Sequence, residues 1–285
     1  MPGSPRTPDG QHTRDRRRRF AEAAREERPD LALLCLLVGA EADPELDGDA
    51  VDAAQIELDR LAGLLPFDPG GPAGWAAAVA ALLGERHGFH GTPADYRRLE
   101  SSLLQEVLRH RRGLPILLSV VWIEVARRAG APVYGVALPG HFVVGFGDPY
   151  GEHVLADPFD GGRLLSDDDA ALLVAGATGA SMNAAMMAPA TPLEIVLRVL
   201  NNIRAWAAAR PERSDVQLWA VELSLLLPSH PARLRYERAQ LLVQRGDFVG
   251  GAKELEEYAD VVAAMEPNAA ETMRRQARAA RAMLN

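Results

Sequence analysis

The residues of this chain best suited to chemistry are His141, in Gly140-His141-Phe142, and Asp157, in Asp157-Pro158. His141 stands at the join of two apolar runs, residues 133–138 and 142–146. Asp157 follows a third run, after a polar turn bearing glycine. An imidazole steered by a carboxylate can move a proton for a nucleophile in acyl transfer. A long amphipathic segment, residues 115–129, precedes both. A helix followed by strands bearing His and then Asp is the layout of a Cys-His-Asp site. Yet the single cysteine, Cys35, lies far upstream in the apolar run 31–38. The frame therefore leaves open whether this protein is an enzyme.

Each candidate has a structural reading beside the chemical one. His141 can be a histidine packed between strands. Asp157 can brace the turn at residues 157–162, common work for aspartate. Cys35 reads as a small hydrophobe inside an apolar helix. Ser119, one helical turn beyond Pro115 on the same face, is the best remaining hydroxyl, although a helix-interior serine usually bonds its own backbone. Glu124, among Val121, Trp122, Ile123 and Val125, reads as a partly buried carboxylate paired with a nearby arginine. His141, Asp157 and Asp160 would supply three metal ligands, but without HxH, CxxC or HExxH spacing no metal is expected. No phosphate-binding glycine loop or dinucleotide fingerprint is present, and no cofactor is expected.

The elements that must hold these residues follow from the pattern. With 285 residues, 48% of them hydrophobic, the protein is large enough to bury a sizeable core. Its formal charge of −8 argues against a general nucleic-acid surface. One cysteine permits no internal disulfide and fits a reducing cytoplasm. No run approaches the roughly 18 apolar residues of a membrane span. Arg16-Arg17-Arg18-Arg19 is separated from the run 31–38 by charged residues, which excludes an export signal. Residues 1–18 are expected to be a disordered basic tail.

Helices are expected over residues 31–38, 49–65, 75–83 and 103–109, then over 115–129, opened by Pro115 and stopped by Gly130. Residues 133–138, 142–146 and 153–156 read as strands, and from Ser166 onward only helix or loop is expected. The middle is an α+β arrangement. From about Thr191 the pattern is all helix. Asp215, Ala220 and Leu223 recur as Asp247, Ala252 and Leu255, near the offset of a helix-turn-helix repeat of about 34 residues. Gly246-Asp247-Phe248 resembles the turn inside a tetratricopeptide unit, with Gly251 where such a unit prefers Ala and Arg235 where it prefers Trp.

Arg111-Arg112-Gly113-Leu114-Pro115-Ile116, the stretch from Glu124 to Val136, Leu138-Pro139-Gly140-His141-Phe142 and Asp157-Pro158-Phe159-Asp160-Gly161-Gly162 resemble the transglutaminase-like superfamily. More narrowly they resemble its bacterial SirB-type branch, which carries a tetratricopeptide-like helical tail. The resemblance spans roughly residues 20–285. It implies an α+β, papain-like core with N-terminal helices at 19–190 and an all-α helical-repeat tail at 191–285. It carries the His role onto His141 and the Asp role onto Asp157, and places the nucleophile at or beside Pro115, which has no thiol. It implies a cleft formed by Gly113, Pro115, Gly140, His141, Asp157 and Asp160. The resulting expectation is a cytoplasmic, non-catalytic regulatory or scaffolding protein with a polypeptide partner, binding neither nucleic acid nor membrane. The alternative is an amide- or ester-directed hydrolase or acyltransferase using His141 and Asp157 with Ser119 or water. The oligomeric state and the partner's identity are left open.

Overall fold

Residues 8–284 are described by a computed structural model, which divides into two units, one ending at Val199 and the other beginning at Leu200. The first opens with α1 (Pro8–Ala23) and α2 (Leu31–Ala42). Residues 8–18, expected to belong to a disordered tail, are helical instead, and residues 1–7 of that expectation lie outside the described residues. The arginine run has partners: Arg18 pairs with Asp15 and Glu22 on its own helix, and Arg17 with Glu41 of α2. Phe20, just after the run, is buried. Asp30 caps α2 by accepting from the Leu33 N–H at 2.9 Å. Almost every residue of α2 is buried, because α1, α3 (Gly48–Ala62), α5 (Leu104–His110) and α6 (Pro115–Arg128) all pack around it. Between them, α4 (Gly71–Val79) runs on through a wider π-helical turn, Ala80–Arg86.

Five antiparallel strands follow: β1 (Val133–Val136), β2 (Val143–Gly147), β3 (His153–Asp157), β4 (Arg163–Leu165) and β5 (Pro189–Ala190), in the order β4-β3-β2-β1-β5. β5 corrects the expectation of only helix or loop from Ser166 onward, and β4 follows the turn at residues 157–162, where no element was expected. Three- and two-residue strands are too short to show a period of two, and pairing with β3 and β1 makes them strands. One face of the sheet rests on α6 and α4. Residues alternating to the other face, among them Val136, Val143, Leu155 and Leu165, close with Ala170 and Val174 of α7 (Asp167–Thr178). α6 is buried without a break from Pro115 to Ala126, and so forms the centre of this unit.

α8 (Pro192–Ala208) spans the division. Beyond it come α9 (Ser214–Leu226), α10 (Arg233–Gln244), α11 (Phe248–Val262) and α12 (Pro267–Ala282), each packed on the next. Asp247 caps α11 by accepting from the Gly250 N–H at 2.9 Å. The α10–α12 core uses small residues, Ala239, Ala252, Ala277 and Ala280, around Leu255. Gly251 belongs to the same economy: a Cβ there would lie 2.8 Å from the Ala239 carbonyl oxygen. The helices approach so closely that even the alanine preferred by a tetratricopeptide unit would not fit unchanged.

Candidate functional site

The site is assembled from the loop before α6, the turn before β2, the turn after β3 and the start of α8. α5 ends at Arg111, which takes a left-handed conformation (φ 61°). Its guanidinium donates to the His87 carbonyl at 3.2 Å and lies 5.1 Å over the Phe89 ring. Next to it, Arg112 donates to Thr92 Oγ1 (2.7 Å) and Asp95 Oδ2 (3.0 Å). Thr92 and Asp95 form the capping box of a one-turn helix, Pro93–Arg97, which carries Tyr96. Gly91 joins this loop to the turn after β3. Its N–H donates to the Phe159 carbonyl at 2.9 Å, and a Cβ on it would fall 2.0 Å from the Phe159 ring, so a glycine is required.

His141 Nε2 lies 2.9 Å from Asp157 Oδ2, and Asp157 Oδ1 accepts from the Phe159 N–H at 2.9 Å. Both side chains are mostly buried, 12% and 7% exposed. The His141 ring meets the Phe159 ring edge-on at 6.0 Å, and Phe159 in turn meets Tyr96 at 6.1 Å. Arg198, early in α8, clamps the histidine turn. Its Nη2 donates to the carbonyls of Leu138 and His141, each at 2.7 Å, and the guanidinium sits 5.6 Å over the Phe142 ring. Burial, and then the charge of Asp157, push the Tyr96 phenol upward in pKa, while Arg198 opposes them. Burial pushes the Arg198 guanidinium downward. Asp157 occupies the Nε2 side of the ring, which leaves Nδ1 as its other hydrogen-bonding atom. That nitrogen has no protein partner among the described residues. A His–Asp pair so arranged can take part in proton transfer at Nδ1.

The other expected site residues are placed as follows. Pro115 is the first residue of α6 and is buried, with Gly113 buried just before it. A proline there offers neither a nucleophile nor a backbone N–H. Ser119, the hydroxyl expected as an alternative nucleophile, lies inside α6. It is fully buried, and its hydroxyl lies 3.4 Å from the Phe142 carbonyl, which it faces as donor. Gly140 is exposed in the turn before His141. Asp160 is exposed and pairs with Arg163 at 2.9 Å rather than joining Asp157. No group of three metal-ligating side chains occurs among the described residues. Cys35 is buried within α2; burial, then the charges of Glu124 and Asp30, push its thiol upward in pKa. Glu124 is itself buried and pairs with Arg127 (2.9 Å) and Arg128. Tyr96, Phe159 and Arg198 were not singled out from sequence. Thr92-x-x-Asp95 was a readable capping signal for the Tyr96 turn, whereas nothing in the spacing marked Arg198.

Comparison with known proteins places the chain. Residues 51–201 match the model of the transglutaminase-like superfamily. The protein belongs to that superfamily. Residues 203–285 match a tetratricopeptide repeat model. A UPF0162 protein of Xylella fastidiosa is 30% identical over 237 residues, covering 78% of this chain and 80% of its own length. A UPF0162 protein of Pseudomonas aeruginosa is 37% identical over 113 residues, 39% of this chain and 41% of its own. F-box only protein 21 of Mus musculus is 24% identical over 165 residues, 55% of this chain and 26% of its own. Among solved structures, menin aligns with a TM-score of 0.42 at 14% identity, covering 87% of this chain and 69% of its own. Among the described residues of this transglutaminase-like protein, no helix is long and apolar enough to cross a membrane.

Proposed function

We propose that this protein is a transglutaminase-like pseudoenzyme of the SirB-type branch: a cytoplasmic regulatory or scaffolding protein that binds another polypeptide through the cleft around His141 and Asp157 or through its helical tail. The domain division in this reading is 19–190 and 191–285. The observation that carries it is Pro115 at the first position of α6, buried and without an N–H, where the family layout puts the nucleophile. The burial of both Cys35 and Ser119 supports this reading. The test has two parts. A screen of acyl donors with amines, before and after thiol alkylation, should show no thiol-dependent turnover. Affinity capture from lysate with wild type and His141→Ala should show polypeptides retained by the first and lost by the second. Turnover abolished by alkylation and by Cys35→Ser would overturn the reading.

One observation favours a second reading. The 2.9 Å His141–Asp157 contact with Nδ1 left open suits activation of water for amide or ester hydrolysis. Ester hydrolysis that survives alkylation and disappears in His141→Ala would establish it over the first.

A further inference from the structure

The partly buried arginines of the first unit divide into those that close on a carboxylate and those, Arg16, Arg111 and Arg198, that form no ion pair among the described residues. Arg17, Arg112 and Arg128 each close on a carboxylate, of Glu41, Asp95 and Glu124 respectively. Arg198 forms no ion pair among the described residues. Its Nη2 is held by two carbonyl oxygens, and Nη1 and Nε have no protein partner among those residues. The carboxylate nearest in function, Asp157, is already occupied by His141 and by the Phe159 N–H. A cation taken partly out of water without a counter-ion is costly. Two carbonyls fixing one nitrogen set the plane of the guanidinium before any ligand arrives, and that planar fork matches a carboxylate. Tyr96 is 50% exposed, its hydroxyl makes no hydrogen bond to the described residues, and it lies close enough to feel the charges of both Asp157 and Arg198. His141 Nδ1 is the third unpartnered group.

We propose that Arg198 and Tyr96 form an anion subsite beside His141, which receives a carboxylate presented by the bound polypeptide, either on an acidic side group or at its free C-terminus. This rests on the polypeptide-binding reading and specifies what that site selects. Arg198 supplies the charge and the Tyr96 hydroxyl a neutral donor. His141 senses the ligand through its ring.

The test uses the full-length protein and follows the His141 ring resonances, assigned by comparison with His141→Asn. The probes are acetyl-Gly-Glu-Gly-amide, acetyl-Gly-Gln-Gly-amide, acetyl-Gly-Gly-Gly with a free C-terminus, and inorganic phosphate. A saturable shift is expected with the Glu peptide or the free C-terminus, the stronger of the two identifying the source of the carboxylate, and none with the Gln peptide. Arg198→Gln should weaken the binding at least tenfold and Tyr96→Phe a few-fold, each in protein that still melts cooperatively. If Arg198→Gln fails to fold, Arg198→Lys, which keeps the charge and loses the fork, must still weaken binding severalfold. Equal shifts with Glu and Gln peptides, equal binding of phosphate, or unchanged affinity in the Arg198 and Tyr96 variants would each overturn the subsite. Polypeptide capture that depends on His141 but not on Arg198 would leave the broader reading standing while this one falls. Binding of the acidic probes without any captured polypeptide would do the reverse.

Discussion

The two ends of α6 each meet a buried carboxylate, and they treat it in opposite ways. At the C-terminal end Glu124 is closed off by Arg127 and Arg128, and Arg128 also donates to Asp59 at 2.7 Å. Every strong group there has a partner within the protein. At the N-terminal end α6 packs against β2 and the turn after β3, where Asp157 is answered by a histidine and one backbone N–H. That arrangement leaves open an imidazole nitrogen, a phenol and most of a guanidinium. The first arrangement holds the core together, and the second keeps valences for something outside the molecule. Tyr96 is half exposed, so these open groups are ones that water answers in the free protein and that a ligand can answer in its place.

The contrast is sharpest under mutation. Glu124→Ala removes the buried carboxylate that Arg127 and Arg128 share and leaves Arg128 only the exposed Asp59, and should cost about 3 kcal/mol of stability, read by urea denaturation. A loss below about 1 kcal/mol would mean that the C-terminal cluster is not a closed structural unit. Asp157→Ala should cost less, about 1–3 kcal/mol, because His141 is near enough to the surface for water to replace the lost partner. It should also change the His141 ring resonances, since Nε2 loses its 2.9 Å partner.

Asp95, which fixes the Tyr96 turn, gives the comparison a pH axis. Burial pushes its carboxyl up, yet hydrogen bonds from Arg112 and Thr92 outweigh that and hold it below the ordinary aspartate value. A depressed carboxyl stabilises the fold above its unfolded value of about 3.9 and loses that contribution as pH falls through the folded value. The acid limb of the stability profile below about pH 4 should therefore flatten in Asp95→Asn. A limb that remained as steep would show that this anchor does not contribute. Ser119→Ala should be the mildest change, about 1 kcal/mol or less, since a 3.4 Å contact to the Phe142 carbonyl is a weak hydrogen bond. If that variant instead abolished an esterase activity of the wild type, the N-terminal end would hold a nucleophile after all.

Much of this was legible before the fold. Pro115 and Gly130 bracket α6, and its start was readable because a proline at a helix's first position and a glycine after its end have local causes. The three longer strands were readable from apolar runs, whereas β4 and β5 exist only because β3 and β1 offer ladders to them. The basic run at residues 16–19 misled for a similar reason. Its composition is that of a solvated tail, and only the packing of Phe20 and the pairing of Arg17 with Glu41 make it a helix.

By itself the sequence determined which groups could act: one histidine and one aspartate at the ends of apolar runs, one cysteine out of place, and a proline at the head of the helix. These are matters of residue type and local period, and they survive without knowledge of the fold. Only the tertiary structure decided which groups are answered. Whether Glu124 is neutralised, whether Ser119 can reach solvent and whether Arg198 finds a carboxylate depend on elements far apart in sequence. Arg198 lies on α8 and the carbonyls it holds belong to the turn before β2. Residue spacing holds no record of such a meeting, because hydrogen-bond partners and burial are properties of packing in three dimensions.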